Sequence, residues 1–164
     1  MKNEPKTNAT RMLDVKHVPY RLHTYEVADG AIHARAVAAR IDVPEHSLFK
    51  TLVGRASGGA AAGRVFVFCI PGPAELDFDL AARCCGAKSV ELVRVQELLG
   101  LTGYVRGGCS PIGMKRPYPV FIDTYAASLS EITVSAGKIG VQISLAPDSL
   151  AEIAHADYAQ LTRT

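Results

Sequence analysis

The chain has 164 residues, 48% of them apolar, with 18 Lys and Arg against 16 Asp and Glu and a formal net charge of +2. That length and apolar share suit one ordinary domain with a sizeable core. The small excess of positive charge excludes a generally basic nucleic-acid coat, so any nucleic-acid contact needs a local patch. The four cysteines, Cys69, Cys84, Cys85 and Cys109, match neither a CxxC redox pair nor zinc-ligand spacing. A reducing, cytoplasmic setting without metal or other cofactor is expected. Residues 1–10 are polar, without an apolar signal region, and no apolar run reaches the length of a membrane span.

Composition predicts a disordered N-terminal tail, taken as 1–9, ahead of a single domain over 10–164. Within that stretch a short helix is possible over 7–16, with Ala9, Met12 and Leu13 on one face and Pro19 beyond it. Residues 20–26 alternate and carry two tyrosines, which predicts a strand. Ala34, Val37, Ala38 and Ile41 sit at helical spacing within 31–41, and 44–49 reads as one turn. Residues 50–55 form a strand, 57–63 a small, flexible hairpin loop, and 65–70 a continuous β-branched and aromatic strand buried on both faces. Asp77 caps a helix over 78–85, with Gly86 past its end. A short strand at 89–93 and a helical turn at 95–99, closed by Gly100, lead to a glycine-rich segment. Strands follow at 119–123, 131–135 and 141–145, with a connector at 125–129. Ser149 and Glu152 have capping-box spacing and open a last helix whose buried face is Leu150, Ile153 and Ala154. Strands outnumber helices in an irregular order. The fold class is therefore α/β of the α+β type: a mixed, partly barrel-like sheet surrounded by helices.

The segment that attracts chemistry is Gly107-Gly108-Cys109-Ser110-Pro111-Ile112-Gly113-Met114-Lys115-Arg116. Glycine permits positive φ and close backbone approach, and successive N–H groups in such a loop can form an anion nest. The same residues also suit a plain tight turn. A second glycine turn lies at Ser135-Ala136-Gly137-Lys138-Ile139-Gly140, and Lys50-Thr51 lies upstream. The expectation is that these three segments face one cleft. Lys50 either snorkels to solvent or points into that cleft. In a regular strand Thr51 takes the opposite face, so both serve one site only at a strand end or bulge. No nucleophile–base set is evident among the five histidines, and GxSxG is absent. Cys109, near Lys115 and Arg116, is the best candidate thiol. What remains is a site of backbone N–H groups, a lysine, hydroxyls and tyrosines, suited to holding a phosphate, a carboxylate or an oxyanion.

These pieces in this order resemble the YbaK/EbsC family of trans-editing domains for mischarged prolyl-tRNA. The likeness is carried by Tyr20-Arg21-Leu22-His23-Thr24-Tyr25-Glu26, Phe49-Lys50-Thr51-Leu52, residues 80–88, 103–113 and Ser135-Ala136-Gly137-Lys138. Among subgroups the chain is most similar to the cysteinyl-tRNA(Pro) deacylases. The resemblance implies a mixed, barrel-like sheet and release of cysteine from mischarged tRNA(Pro), with prolyl-tRNA synthetase as partner. It implies that the thiol of the substrate attacks its own ester while the protein positions it. It also implies that Lys50, Gly107 and Ser135 are the catalytic residues, and that Tyr25, Thr51, Gly108, Ser110, Gly137 and Lys138 line the substrate.

Two positions depart from the family pattern. Ile139 stands where a cation is usual and Gln142 where a carboxylate is usual, and the two changes can belong to one lost ion pair. Cys109 stands where an aliphatic residue is common, which weakens its case as a reactive thiol. The competing readings are a deacylase for another small residue, such as alanine, that uses water, and a non-catalytic module that binds a nucleotide or tRNA. In either, Lys115, Arg116 and Lys138 are candidates for phosphate contacts.

Overall fold

A computed structural model describes residues 5–27 and 34–163. The first helix, α1 (Asn8–Val15), starts inside the expected tail. Thr7 caps it: its hydroxyl accepts from Thr10 N–H at 3.2 Å, and Thr7 N–H donates to Thr10 Oγ1 at 2.8 Å. Ala9 and Leu13 are fully buried, so residues 7–9 belong to the folded body and not to a tail. Strand β1 (Arg21–Thr24) is shorter than the alternation predicts. Helix α2 (Ala34–Ile41) is present, while 31–33 of its predicted span lie outside the described residues.

A 3-10 turn at Glu45–Ser47 leads into a long hairpin of β2 (Phe49–Gly59) and β3 (Val65–Pro71). Strand β2 outruns its prediction because Ser57 and Gly59 pair with Ser89 and Ala87 of β4 (Ala87–Leu92). The flexible loop is thereby reduced to 60–64. Helix α3 (Phe78–Cys85) has the predicted caps: Asp77 accepts from Leu80 N–H, and Gly86 is left-handed at φ 71°. Helix α4 (Val95–Thr102) runs through Gly100 and ends at Gly103, the left-handed residue. Strand β5 (Val120–Asp123), a 3-10 turn at Thr124–Ser128, β6 (Ile132–Lys138) and β7 (Val141–Leu145) follow as expected. The last helix, α5 (Pro147–Ile153), begins two residues early, at a proline whose φ and missing N–H suit the first helical position. Ser149 is therefore inside the helix and caps nothing. A final strand, β8 (Ala156–Ala159), has no predicted counterpart.

The strands form two sheets, ordered β1-β7-β6 and β4-β2-β3-β5-β8. The β4-β2-β3 part is antiparallel, and β5 and β8 add to β3 in parallel. One core lies between the sheets: Phe49, Val53, Val67 and Cys69 from one side meet Ile132, Val134, Ile143 and Leu145 from the other. On the far face of the larger sheet, Phe66, Phe68 and Ile70 pack under Ala81, Ala82 and Cys85 of α3. Strand β3 is thus buried on both faces, as its unbroken apolar run predicts. Among the described residues the sheets meet along one side at an isolated parallel bridge, Leu48 to Thr133. That half-closed arrangement is the partly barrel-like sheet with helices around it. Among the described residues no helix is long and apolar enough to cross a membrane.

Candidate active site

The glycine segment is pinned into the core at its far end. Ile112 and Ser110 are fully buried, and Cys109 joins the same core. The Ser110 hydroxyl accepts from Ile112 N–H at 3.2 Å, and the Tyr104 hydroxyl donates to Ile112 C=O at 2.6 Å. Ser110 therefore holds the turn from inside and does not line an open surface. With that end anchored, Gly107 is partly exposed while Gly108 stays buried. Gly107 has φ 86°, and Gly108 N–H donates to Val105 C=O at 2.9 Å. The Gly107 N–H has no acceptor among the described residues.

The two glycine turns touch. A Cβ on Gly108 would lie 2.8 Å from Ile139 N and 3.1 Å from Lys138 C, so only hydrogen fits between these backbones. A Cβ on Gly137 would lie 2.6 Å from the Tyr104 ring. Tyr104 thus clamps the second turn while its hydroxyl clamps the first. Nothing in residue spacing announces that role for Tyr104. Gly137 N–H donates to Ser135 Oγ at 3.1 Å, which orients the hydroxyl. Lys138 is exposed on the same turn.

The second turn continues into a polar sheet face. Ser135 on β6 stands opposite Gln142 on β7, and Gln142 stands opposite His23 on β1. Gln142 Nε2 donates to the Tyr25 hydroxyl at 3.3 Å, and Tyr25 N–H donates to Gly140 C=O at 2.9 Å. One row along, His23 Nε2 meets Ser144 Oγ at 2.8 Å, which meets Thr133 Oγ1 at 2.6 Å. Ser135, Gln142, Ser144 and Thr133 are all buried. Burial, and secondarily the Arg21 charge, holds the His23 ring below the usual imidazole range, against the pull of Glu131. This hydroxyl–imidazole chain has no sequence motif. The signal open to a reader was the alternation of Thr133, Ser135, Gln142 and Ser144 against apolar neighbours. Ile139 is exposed on the turn whereas Gln142 is buried against Tyr25, so these two departures occupy separate surroundings.

Lys50 reaches this face and Thr51 does not. The parallel bridge sets the Leu48 and Thr133 side chains on one face. Two residues further along each strand, Lys50 and Ser135 return to it. Leu48 also packs beside Tyr25. Lys50 is half-buried; burial lowers its pKa below the ordinary lysine value, and the Glu75 carboxylate acts in the opposite sense. Thr51 faces the core, with its hydroxyl 4.0 Å from Cys69 Sγ. The contacts join Gly108 to Lys138, and Gln142, opposite Ser135, to Tyr25, and strand alternation puts Lys50 on the Ser135 side of β2. The structure leaves Thr51 and Ser110 beneath them as supports.

Burial pushes the Cys109 thiol up to about 12, although Thr102 hydrogen-bonds it, and pushes Cys69 up to about 12 as well. Neither is a thiolate near neutral pH. Among the described residues no group of three or more His, Cys, Asp or Glu could hold a metal ion. The assembly is one of hydrogen-bond donors and one half-buried ammonium, suited to orienting an ester and stabilising charge on its oxygen.

The family model described as aminoacyl-tRNA editing domain matches residues 29–153. The chain is 40% identical over 161 residues to an Enterococcus faecalis protein provisionally named Cys-tRNA(Pro)/Cys-tRNA(Cys) deacylase EbsC, covering 98% of this chain and 96% of that one. It is 22% identical over 142 residues to a proline–tRNA ligase of Burkholderia multivorans, matching 87% of this chain but only 25% of the ligase. A solved structure titled as a provisional trans-editing enzyme for prolyl tRNA synthetase superposes with a TM-score of 0.81 at 21% identity, over 98% of this chain and 100% of that one. A hypothetical protein of known structure gives 0.84 at 23% identity, over 96% and 100%. At such identities the structural likeness speaks for the fold.

Proposed function

The chain belongs to the aminoacyl-tRNA editing domain family, and on that premise we propose the reaction and the residues that serve it. The protein is an aminoacyl-tRNA deacylase. We assign it, as a trans-editing enzyme, the removal of cysteine from tRNA(Pro), the chemistry carried in the name of the Enterococcus relative. The single observation that carries the site is the seating of Gly108 on the Lys138–Ile139 backbone, which joins both glycine turns to Ser135 and to the Lys50 face.

In the reaction we propose, the sulfur of the substrate attacks its own ester carbonyl carbon. A C–S bond forms, the carbon–ribose oxygen bond breaks, and the thiol proton ends on the departing ribose oxygen. Water then opens the strained thioester to free cysteine. The free Gly107 N–H meets the carbonyl oxygen as negative charge gathers there. Ser135, aligned by Gly137, and Tyr25, aligned by Gln142, hold the terminal adenosine and the α-amino group. The Lys50 ammonium adds positive potential beside the leaving oxygen. No protein nucleophile is required, which fits two protonated, buried thiols and a Ser144 hydroxyl that, although paired with His23, is fully buried and bonded to Thr133.

The editing domain extends in our reading beyond the matched 29–153 to α1, because Ala9 and Leu13 lie in the same core. Prolyl-tRNA synthetase is the proposed partner and the cytoplasm the proposed location, since both follow from a tRNA substrate. The test is a deacylation panel of tRNA(Pro) charged with Cys, Ser or Ala, run with wild type and Lys50→Ala. Wild type should release cysteine far faster than serine, since a hydroxyl is the weaker nucleophile near neutral pH. Lys50→Ala should lose about 100-fold in rate with an unchanged melt. Equal rates on Cys and Ser would defeat the substrate-thiol step, and an unimpaired Lys50→Ala would remove the lysine from the mechanism.

A further inference from the structure

Two stretches of this chain carry no carboxylate at all: residues 98–122, which hold Arg106, Lys115 and Arg116, and residues 132–147, which hold Lys138. All four cations are exposed, and none is in an ion pair among the described residues. By contrast Lys6, Arg21, Arg55, Arg94 and Arg163 each meet an Asp or Glu.

The fold makes one surface of the four. Gly108, two residues after Arg106, is wedged on the Lys138–Ile139 backbone. Lys115 N–H donates to Thr102 C=O at 2.9 Å, and the Lys115 Cβ lies 3.8 Å from where a Gly103 Cβ would be, three residues before Arg106. Tyr104, next in the chain, lies on Gly137. Val105 and Ile139 are exposed among these cations, at 45% and 37%. The ridge is continuous with Gly107, the residue placed at the ester.

We propose that this ridge seats the phosphate backbone of the tRNA acceptor stem. The inference rests on the deacylase reading and adds where the body of the RNA lies. A row of unpaired cations with no carboxylate nearby attracts a polyanion at the range of a Debye length. Two isolated aliphatic side chains are too few for the apolar centre of a protein interface. The contacts are to phosphate, so they hold the RNA in place without reading its bases. Recognition of the cysteine ester stays with the pocket.

The experiment compares two substrates, Cys-tRNA(Pro) and cysteine esterified to adenosine, which has no phosphate. The variant is Arg106→Ala/Lys115→Ala/Arg116→Ala, three exposed changes whose folding is checked by its melt. On Cys-tRNA(Pro) its KM should rise at least about tenfold at low salt, and the slope of log affinity against log salt should flatten by about two, at roughly 0.7–0.9 per phosphate contact. On the adenosine ester its kcat/KM should match wild type. Equal losses on both substrates would overturn the ridge and place these side chains in the pocket. An unchanged salt slope on tRNA would also overturn it, as would a defect seen only when synthetase is added. If wild type cleaves neither ester, the deacylase reading falls. The ridge is then judged on uncharged tRNA(Pro) by fluorescence anisotropy, where the same flattening is required and its absence overturns the proposal.

Discussion

Gly108→Ala tests the contact on which the site depends. The added Cβ would sit 2.8 Å from Ile139 N and 3.1 Å from Lys138 C, both backbone atoms of a hydrogen-bonded hairpin that cannot swing aside as a side chain can. Forcing a methyl group into such a place costs about 1–3 kcal/mol. In a chain of 164 residues each kcal/mol moves the melting temperature by about 2–4 °C, so Tm should fall by about 2–12 °C. The turns must also part. A shift of about 1 Å in a positioning group costs about 100-fold in rate, so kcat/KM on Cys-tRNA(Pro) should drop by that order. Gly63→Ala is the control for backbone strain without a clash: Gly63, unlike Gly108, is left-handed, at φ 81°, and has nothing within 4 Å of its missing Cβ. It should lose about 1–2 kcal/mol through backbone strain alone and keep its rate. Calorimetry and single-turnover deacylation on both variants separate stability from geometry. A Gly108→Ala protein with wild-type melt and rate would show that the turns are not wedged together. A lowered melt with an intact rate would show that the chemistry does not need them wedged.

Two further predictions concern titrating groups. Cys69 and Cys109 are buried with thiols pushed up to about 12, whereas Cys84 is half-buried and drawn below the usual thiol value by its hydrogen bond with Cys85. Iodoacetamide at mildly alkaline pH should therefore label Cys84 first, and the labelled protein should still deacylate; activity lost in step with label on Cys109 would put that thiol in the mechanism. His23 is held neutral by burial and by Arg21, so its folded pKa lies below the value of about 6.5 in the unfolded chain. Between those two values the unfolded chain binds more protons, so stability rises with pH through that window and is level above it. Urea midpoints should fall between pH 7.5 and pH 5.5 more in wild type than in His23→Gln, and equal falls would refute the assignment.

The parts of the fold that show in sequence are those where one local rule decides. The unbroken run from Val65 to Ile70 has no reason to exist unless both its faces are covered, and α3 and the central core cover them. Asp77 and Gly86 bracket α3 because a carboxylate acceptor and a left-handed residue suit the two helix ends. Tertiary context decides the misses. Ala156–Ala159 contains no β-branched residue and is a strand only because β5 offers it an edge. Ser149 and Glu152 have capping spacing, but Pro147 is better suited to begin the helix. Thr7 and Ala9 look like tail because their partners, Thr10 and the buried core, are unseen until the chain folds. In the site, alternation alone separates Lys50 from Thr51. Only the bridge from Leu48 to Thr133 tells which of the two lies on the Ser135 side of the strand. Tyr104 and Gln142 act through contacts more than thirty and a hundred residues away in the chain, to Gly137 and Tyr25.

A pocket without a nucleophile selects by reactivity as well as by shape, and this bears on why its walls are backbone and hydroxyl. Cysteine and proline side chains differ little in bulk, and steric exclusion of one small group supplies only about 1–3 kcal/mol. Under the proposed mechanism the cysteine ester carries its own attacking sulfur, while the proline ester, having none, can enter and leave unharmed. An activated serine or thiolate in the pocket would abolish that safeguard by attacking both. Deep burial of Cys109 next to the glycine turn, with its proton retained, is what such selection demands of a thiol so near the substrate.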